Sequence, residues 1–108
     1  MPDRTHEQRM DALEVANDSR STRAKLKRDL KAGEVRARDI LLRPIPKTLR
    51  TMKVITLLEA VPSLGTTKAA MILRHARVAP EAQLGNLSRR ERTGLLLDAR
   101  SRFPNLDL

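Results

Sequence analysis

The sequence predicts an all-α protein: a long basic helix at the amino end, then a short helix, then three packed helices. Three features carry that prediction. From Thr5 to about Ala32 there is no proline or glycine. From Leu49 to Phe103 apolar residues recur at helical spacing between proline and glycine stops. The one strand candidate, Val54 to Leu58, runs on into Glu59 and Ala60 and has no partner strand.

The first helix is expected to open on Thr5, with Gln8 three residues later completing a capping box, and to close at Gly33. At the standard rise it is about 40 Å long. Its apolar residues are sparse: Met10, Leu13, Val15, Leu26 and Leu30. Only the end carrying Leu26 and Leu30 is fit to dock on a core. A short helix is expected from Glu34 to Leu42, burying Val35, Ile40, Leu41 and Leu42, with Pro44 and Pro46 breaking the chain after it. Residues 1–47 therefore read as an arm and connector, 48–104 as the core, and 105–108 as a loose tail.

Within the core, Leu49, Met52, Val54, Ile55, Leu57, Leu58 and Val61 predict a central helix from Thr48 to Ala60. Pro62 and Gly65 turn the chain, and Thr66 is placed to cap a helix through about Arg77 that buries Ala69, Ile72, Leu73 and Ala76. Val78 to Leu87 reads as a loop. Ser88 and Glu91 form a second capping box for a last helix of Leu95, Leu96, Ala99 and Phe103, stopped by Pro104.

Composition narrows the function. Lys and Arg number 22 against 13 Asp and Glu, a net charge of +9 and a pI of about 11.2, which calls for a polyanionic partner. Nucleic acid leads, and an acidic membrane surface follows. No cysteine is present, which excludes disulfides and thiolate metal sites. Neither a secretory leader nor a membrane-spanning stretch is legible, so a soluble, cytoplasmic protein that binds no membrane is expected. Phe103 is the only aromatic residue, which disfavours single-strand readers that stack bases on several rings. His6 and His75 have no sequence-local partners, and no metal or nucleotide motif occurs. No enzyme, cofactor or metal is expected, and a monomer is.

The charge is concentrated. Between Arg20 and Lys53 twelve basic residues face three acidic ones, an excess equal to the net charge of the whole chain. Arg20, Arg23, Lys27 and Lys31 are spaced to line one helical face. A solvated surface helix is the plain alternative to a DNA-following arm. The second candidate is the turn at Ser63, Leu64, Gly65, Thr66, Thr67 and Lys68. A helix start there offers unpaired N–H groups and a partial positive charge to a phosphate, with Lys68 one turn in. An ordinary helix–helix turn in which Gly65 takes a positive φ stands beside that reading. Lys53 is counted with the same surface. Arg89, Arg90 and Arg92 occupy the first turn of the last helix, where the helix dipole disfavours cations by roughly a few tenths of a kcal/mol each unless an anion sits there.

Met52 to Pro62, followed by Leu64-Gly65, Lys68-Ala69 and Val78-Ala79-Pro80, resembles the integration host factor family of actinobacteria, including its mycobacterial form. Upstream, Glu7-Gln8-Arg9, Arg20 and Arg23 to Lys27 resemble that family's long amino-terminal helix. The resemblance implies a helix-two-turns-helix core like that of a small-subunit ribosomal protein. It further implies double-stranded DNA as partner, with little sequence preference, bending or compaction of the nucleoid, and support of a phage-type integrase. The same core type makes RNA or ribosome binding the rival, with a basic protein–protein adaptor third. The family's arginines after Pro80 have no counterpart in Glu81 to Leu87; Arg89, Arg90 and Arg92 are the nearest basic residues.

Overall fold

The computed structural model describes residues 6–108, with side chains from Ser19 onward. The expected capping pair Thr5 and Gln8, and the side chains of Met10, Leu13 and Val15, lie outside that description. Five helices form: α1 (His6–Ala32), α2 (Ala37–Leu41), α3 (Val54–Glu59), α4 (Gly65–His75) and α5 (Arg89–Arg102). No strand forms among the described residues, and none of their helices is long and apolar enough to cross a membrane.

α1 ends as its glycine requires. Gly33 takes φ +76°, and the Glu34 N–H donates back to Asp29 O at 2.9 Å, satisfying a carbonyl that the helix would leave orphaned. Among the described side chains of α1, Leu26 and Leu30 in its last two turns are the ones buried in the core. α2 is shorter than its apolar run suggests. The Arg36 N–H is held by Asp39 Oδ2 at 2.9 Å at its start, and Leu42 is 40% exposed rather than buried.

The continuous helix expected from Thr48 to Ala60 is instead a 3-10 turn at Lys47–Leu49 and a separate α3. The break has a nonlocal cause. Residues 50–54 pair with the loop before α5: the Val54 N–H donates to Ala82 O at 3.0 Å, that of Leu84 to Met52 O at 2.9 Å, and that of Gly85 to Arg50 O at 2.8 Å. These bonds satisfy backbone that a helix would otherwise use, and Leu84 is fully buried beneath them.

The core joins both halves of the chain. Leu26, Leu30, Ala37 and Leu41 share one buried cluster with Leu57, Leu58, Ile72, Leu73, Leu84, Leu95 and Leu96. Residues 105–108, read from sequence as a loose tail, belong to it too. Leu108 is 2% exposed, Leu106 packs alongside, and Asp107 reaches Arg36.

Gly85 marks the tightest backbone approach. A Cβ there would fall 2.9 Å from Arg50 Cβ and 3.0 Å from its carbonyl oxygen, inside contact distance. Gly85→Ala is therefore expected to part the two segments and cost about 1–3 kcal/mol, the range for overpacking. Thermal unfolding should show a fall of several degrees in Tm, and an unchanged Tm would refute the close approach.

Candidate nucleic-acid interface

The chain leaves α3 through two tight turns and enters α4. The Ala60 and Val61 N–H groups donate to Leu57 O and Leu58 O, and that of Leu64 to Val61 O at 3.2 Å. Ser63 (φ +66°) and Gly65 (φ +73°) take the left-handed region that makes so sharp a reversal possible. A Cβ at Gly65 would meet nothing within 4 Å, so conformation and not space selects glycine there. The open side of that backbone is free for an anion to approach.

Thr66 does not cap α4. The helix starts one residue earlier, at Gly65, and Leu64 in the cap position offers no side-chain acceptor. The first N–H groups of α4 thus lack a side-chain partner, which leaves them to solvent or an anion. α5 is the contrast. Ser88 Oγ accepts from the Glu91 N–H at 3.1 Å, and Glu91 Oε1 accepts from the Ser88 N–H at 3.0 Å. These hydrogen bonds from Ser88, backbone first, hold the Glu91 carboxyl below its ordinary value. The anion at the start of α5 is the chain's own.

Lys68 reaches back across the turn. Its Nζ lies 3.3 Å from Ser63 O and 5.6 Å from the centre of the Phe103 ring, so the ammonium sits over the mouth of α4. The ring face attracts the cation while leaving its remaining N–H donors outward. Phe103 thereby acquires a role that its isolation in the sequence does not suggest.

α1 delivers the second group of cations to the same place. Lys31 lines a groove of about 450 Å³ with Glu59, Ala60, Val61, Pro62, Ser63, Leu64 and Gly65. Lys27 and Lys31 also line the adjoining hollow with Thr56, Glu59 and Ala60. Of these two lysines, one helical turn apart on α1, Lys31 borders the start of α4 and Lys27 the neighbouring face of α3. Glu59 is the one carboxylate in both walls and weakens the positive potential there. Thr56 joins Glu59 in this wall, their spacing of three on α3 putting both on one face.

The remaining predicted residues divide. Arg20, Lys53, Thr66 and Thr67 are exposed, and Lys53 precedes Thr56 by one turn. Arg23 is half-buried and donates to Thr51 Oγ1, tying α1 to the segment before α3 rather than pointing outward. Leu64 is 2% exposed, so its side chain belongs to the core and only its backbone borders the groove. Arg92 departs furthest from expectation. It is buried, with Nε 3.0 Å from Leu41 O, Nη1 2.8 Å from Leu87 O and Nη2 3.5 Å from Arg43 O. Its donors are committed to carbonyls, and a phosphate has no access. Arg89 and Arg90 are exposed, but at the far end of α5 from Phe103, about 20 Å away by helical rise. They do not share the groove with Lys68. Among the described residues no group of three or more His, Asp or Glu is placed to hold a metal ion.

This fold and site define an all-α protein with a helix-two-turns-helix core and a basic groove at its turn. No family model matches the chain. Two mycobacterial proteins named integration host factor, from Mycolicibacterium smegmatis and Mycobacterium tuberculosis, are each 40% identical over 97 residues, covering 89% of this chain and 92% of theirs. The chain belongs to the mycobacterial-type integration host factor family. A solved structure, sIHF bound to an 8-bp palindromic DNA, superposes with a TM-score of 0.68, covering 79% of this chain and 97% of that one. Its 23% identity makes that a likeness of fold.

Proposed function

We infer that the protein is an architectural, nucleoid-associated DNA-binding protein that grips duplex DNA by its phosphates, with little sequence preference. One observation carries the reading in a chain of this family: Lys31 shares a groove with the uncapped start of α4, Lys27 lines the adjoining hollow, and Lys68 reaches Ser63 at the groove's edge. The first-turn amides and Lys68 fix one strand's phosphates and set register, while the α1 lysines hold neighbouring phosphates. Base edges are not required, so discrimination comes from duplex shape and deformability. Bending or compaction follows from wrapping DNA around both α1 and the turn. The protein acts as a monomer in the cytoplasm and supports a phage-type integrase by shaping its DNA.

The test is a salt-titrated mobility shift on random duplexes, with structured RNA as competitor. Neutralising about six phosphates predicts a slope of log affinity against log salt of about −5. Lys68→Ala is expected to flatten that slope by about one unit and to weaken all duplexes alike. Preferential retention by RNA at matched salt would overturn the assignment, and a Lys68→Ala protein with wild-type slope would remove the turn from it.

A further inference from the structure

On the other side of Val61 and Pro62 from the Lys31 groove lies a second hollow, of about 250 Å³, lined by Leu30, Gly33, Val35, Arg36, Ala37, Val61, Pro62 and Asp107. Its charged wall is Arg36, with Arg38 two residues on. A single carboxylate stands between these two guanidinium groups. Arg36 Nε lies 2.7 Å from Asp107 Oδ2 as an ion pair, out of line for a hydrogen bond. Arg38 Nη1 lies 3.9 Å from Oδ1 of the same group. Each carboxylate oxygen thus faces one arginine, the disposition that two non-bridging oxygens of a phosphate diester would take between the same groups.

The carboxylate is held there by its neighbours. Leu106 and Leu108 anchor the tail in the core, the Leu106 N–H donates to Phe103 O at 3.1 Å, and Phe103 supports Lys68 on the groove side. Yet the Asp107 side chain is 62% exposed, and those of Arg36 and Arg38 are 31% and 46% exposed. The arginines are thus within reach of a DNA phosphate, but the carboxylate is tethered between two packed leucines, and its high effective concentration keeps it on them.

We propose that Arg36 and Arg38 form a further DNA-phosphate site, continuous with the turn through Val61 and Pro62, which Asp107 occupies and so withholds from duplex in the wild-type protein. This rests on the DNA-binding reading above. Asp107 then acts as an internal competitor that shortens the footprint on DNA and lowers affinity.

Asp107→Asn keeps the shape of the side chain and the anchoring leucines while removing the competing charge. In the salt-titrated mobility shift it is expected to steepen the slope by about 0.9 and to tighten binding about 8-fold at 0.1 M salt, the effect of one added phosphate contact. Asp98→Asn changes the net charge equally on α5, where Asp98 pairs with Arg102, and is expected to do neither. Arg38→Gln should cost little in the wild-type chain but cancel most of the gain in Asp107→Asn. A wild-type protein that binds duplex with a steep salt slope, joined to an Asp107→Asn protein that matches it, overturns the proposal alone. So does a gain equalled by Asp98→Asn or surviving Arg38→Gln. A wild-type protein without salt-dependent duplex binding overturns both this proposal and the DNA-binding reading.

Discussion

Replacing Lys27, Lys31 and Lys68 together by glutamine is expected to weaken duplex binding by two to three orders of magnitude at 0.1 M salt while leaving the fold intact. Each phosphate neutralised releases counterions worth about 0.9 in the salt slope, so three lost contacts remove about 2.7 units, or about 500-fold at that salt concentration. All three side chains are exposed, none takes part in an ion pair among the described residues, and glutamine is a good helix former. The folded protein loses the cation–π contact of Lys68 with Phe103 and its long, exposed hydrogen bond to Ser63 O. Urea unfolding should therefore coincide with wild type within about 1 kcal/mol. The same triple change at Lys25, Arg28 and Lys47, also exposed but not in the groove walls, should cost markedly less. Equal losses from the two triples would mean that net charge, not the groove, carries the attraction.

That contrast also shows what was readable in the chain. The α1 stripe and the turn were legible because each rests on local rules: helical spacing brings Lys27 and Lys31 to one face, and Pro62 with Gly65 stops one helix and starts another. Their convergence on one groove was not legible, because it depends on Leu26 and Leu30 docking α1 beside α3. The split of the 48–60 helix was hidden for the same reason. Leu49, Met52 and Ile55 have helical spacing, but the backbone partners of Met52 and Val54 are Leu84 and Ala82, some thirty residues away. The last four residues looked unattached because nothing local marks Leu108 as a core residue or Asp107 as the partner of Arg36.

The basic residues show the limit most clearly. Arg89, Arg90 and Arg92 are one residue type in the first turn of α5, and only Arg92 stands three and four residues before the buried Leu95 and Leu96. Burial separates them: two face solvent, and the third faces inward onto carbonyls from the ends of α2 and of the preceding loop. A count of charge over-reports the binding surface wherever a guanidinium is turned onto the protein itself, as Arg92 is onto carbonyls and Arg23 onto Thr51. On the proposed reading, the attraction for DNA lies with fewer residues than +9 suggests, and with more weight on the lysines at the turn.

Arg92→Ala is expected to destabilise the fold by about 3 kcal/mol, the largest effect of any single polar substitution proposed, without flattening the salt slope of DNA binding. The guanidinium fork bonds Leu41 O at 3.0 Å and Leu87 O at 2.8 Å, joining α2 to α5 across about fifty residues of sequence. Alanine leaves those buried acceptors unpaired, at about 1–3 kcal/mol each when nothing replaces the donor, with water entry offsetting part of it. No carboxylate faces Arg92 among the described ion pairs, so its removal strands no opposing charge and the cost stays at the hydrogen bonds and the packed stem. Arg92→Lys keeps charge and stem but offers one ammonium where three carbonyls converge, and should recover only part of the loss. Against a total stability of about 5–15 kcal/mol for a small domain, the shift in urea midpoint is large and easily read. Salt titration of the folded Arg92→Ala protein should then give the wild-type slope. A stable variant with a slope flattened by one unit would instead put this guanidinium on a DNA phosphate and contradict its burial.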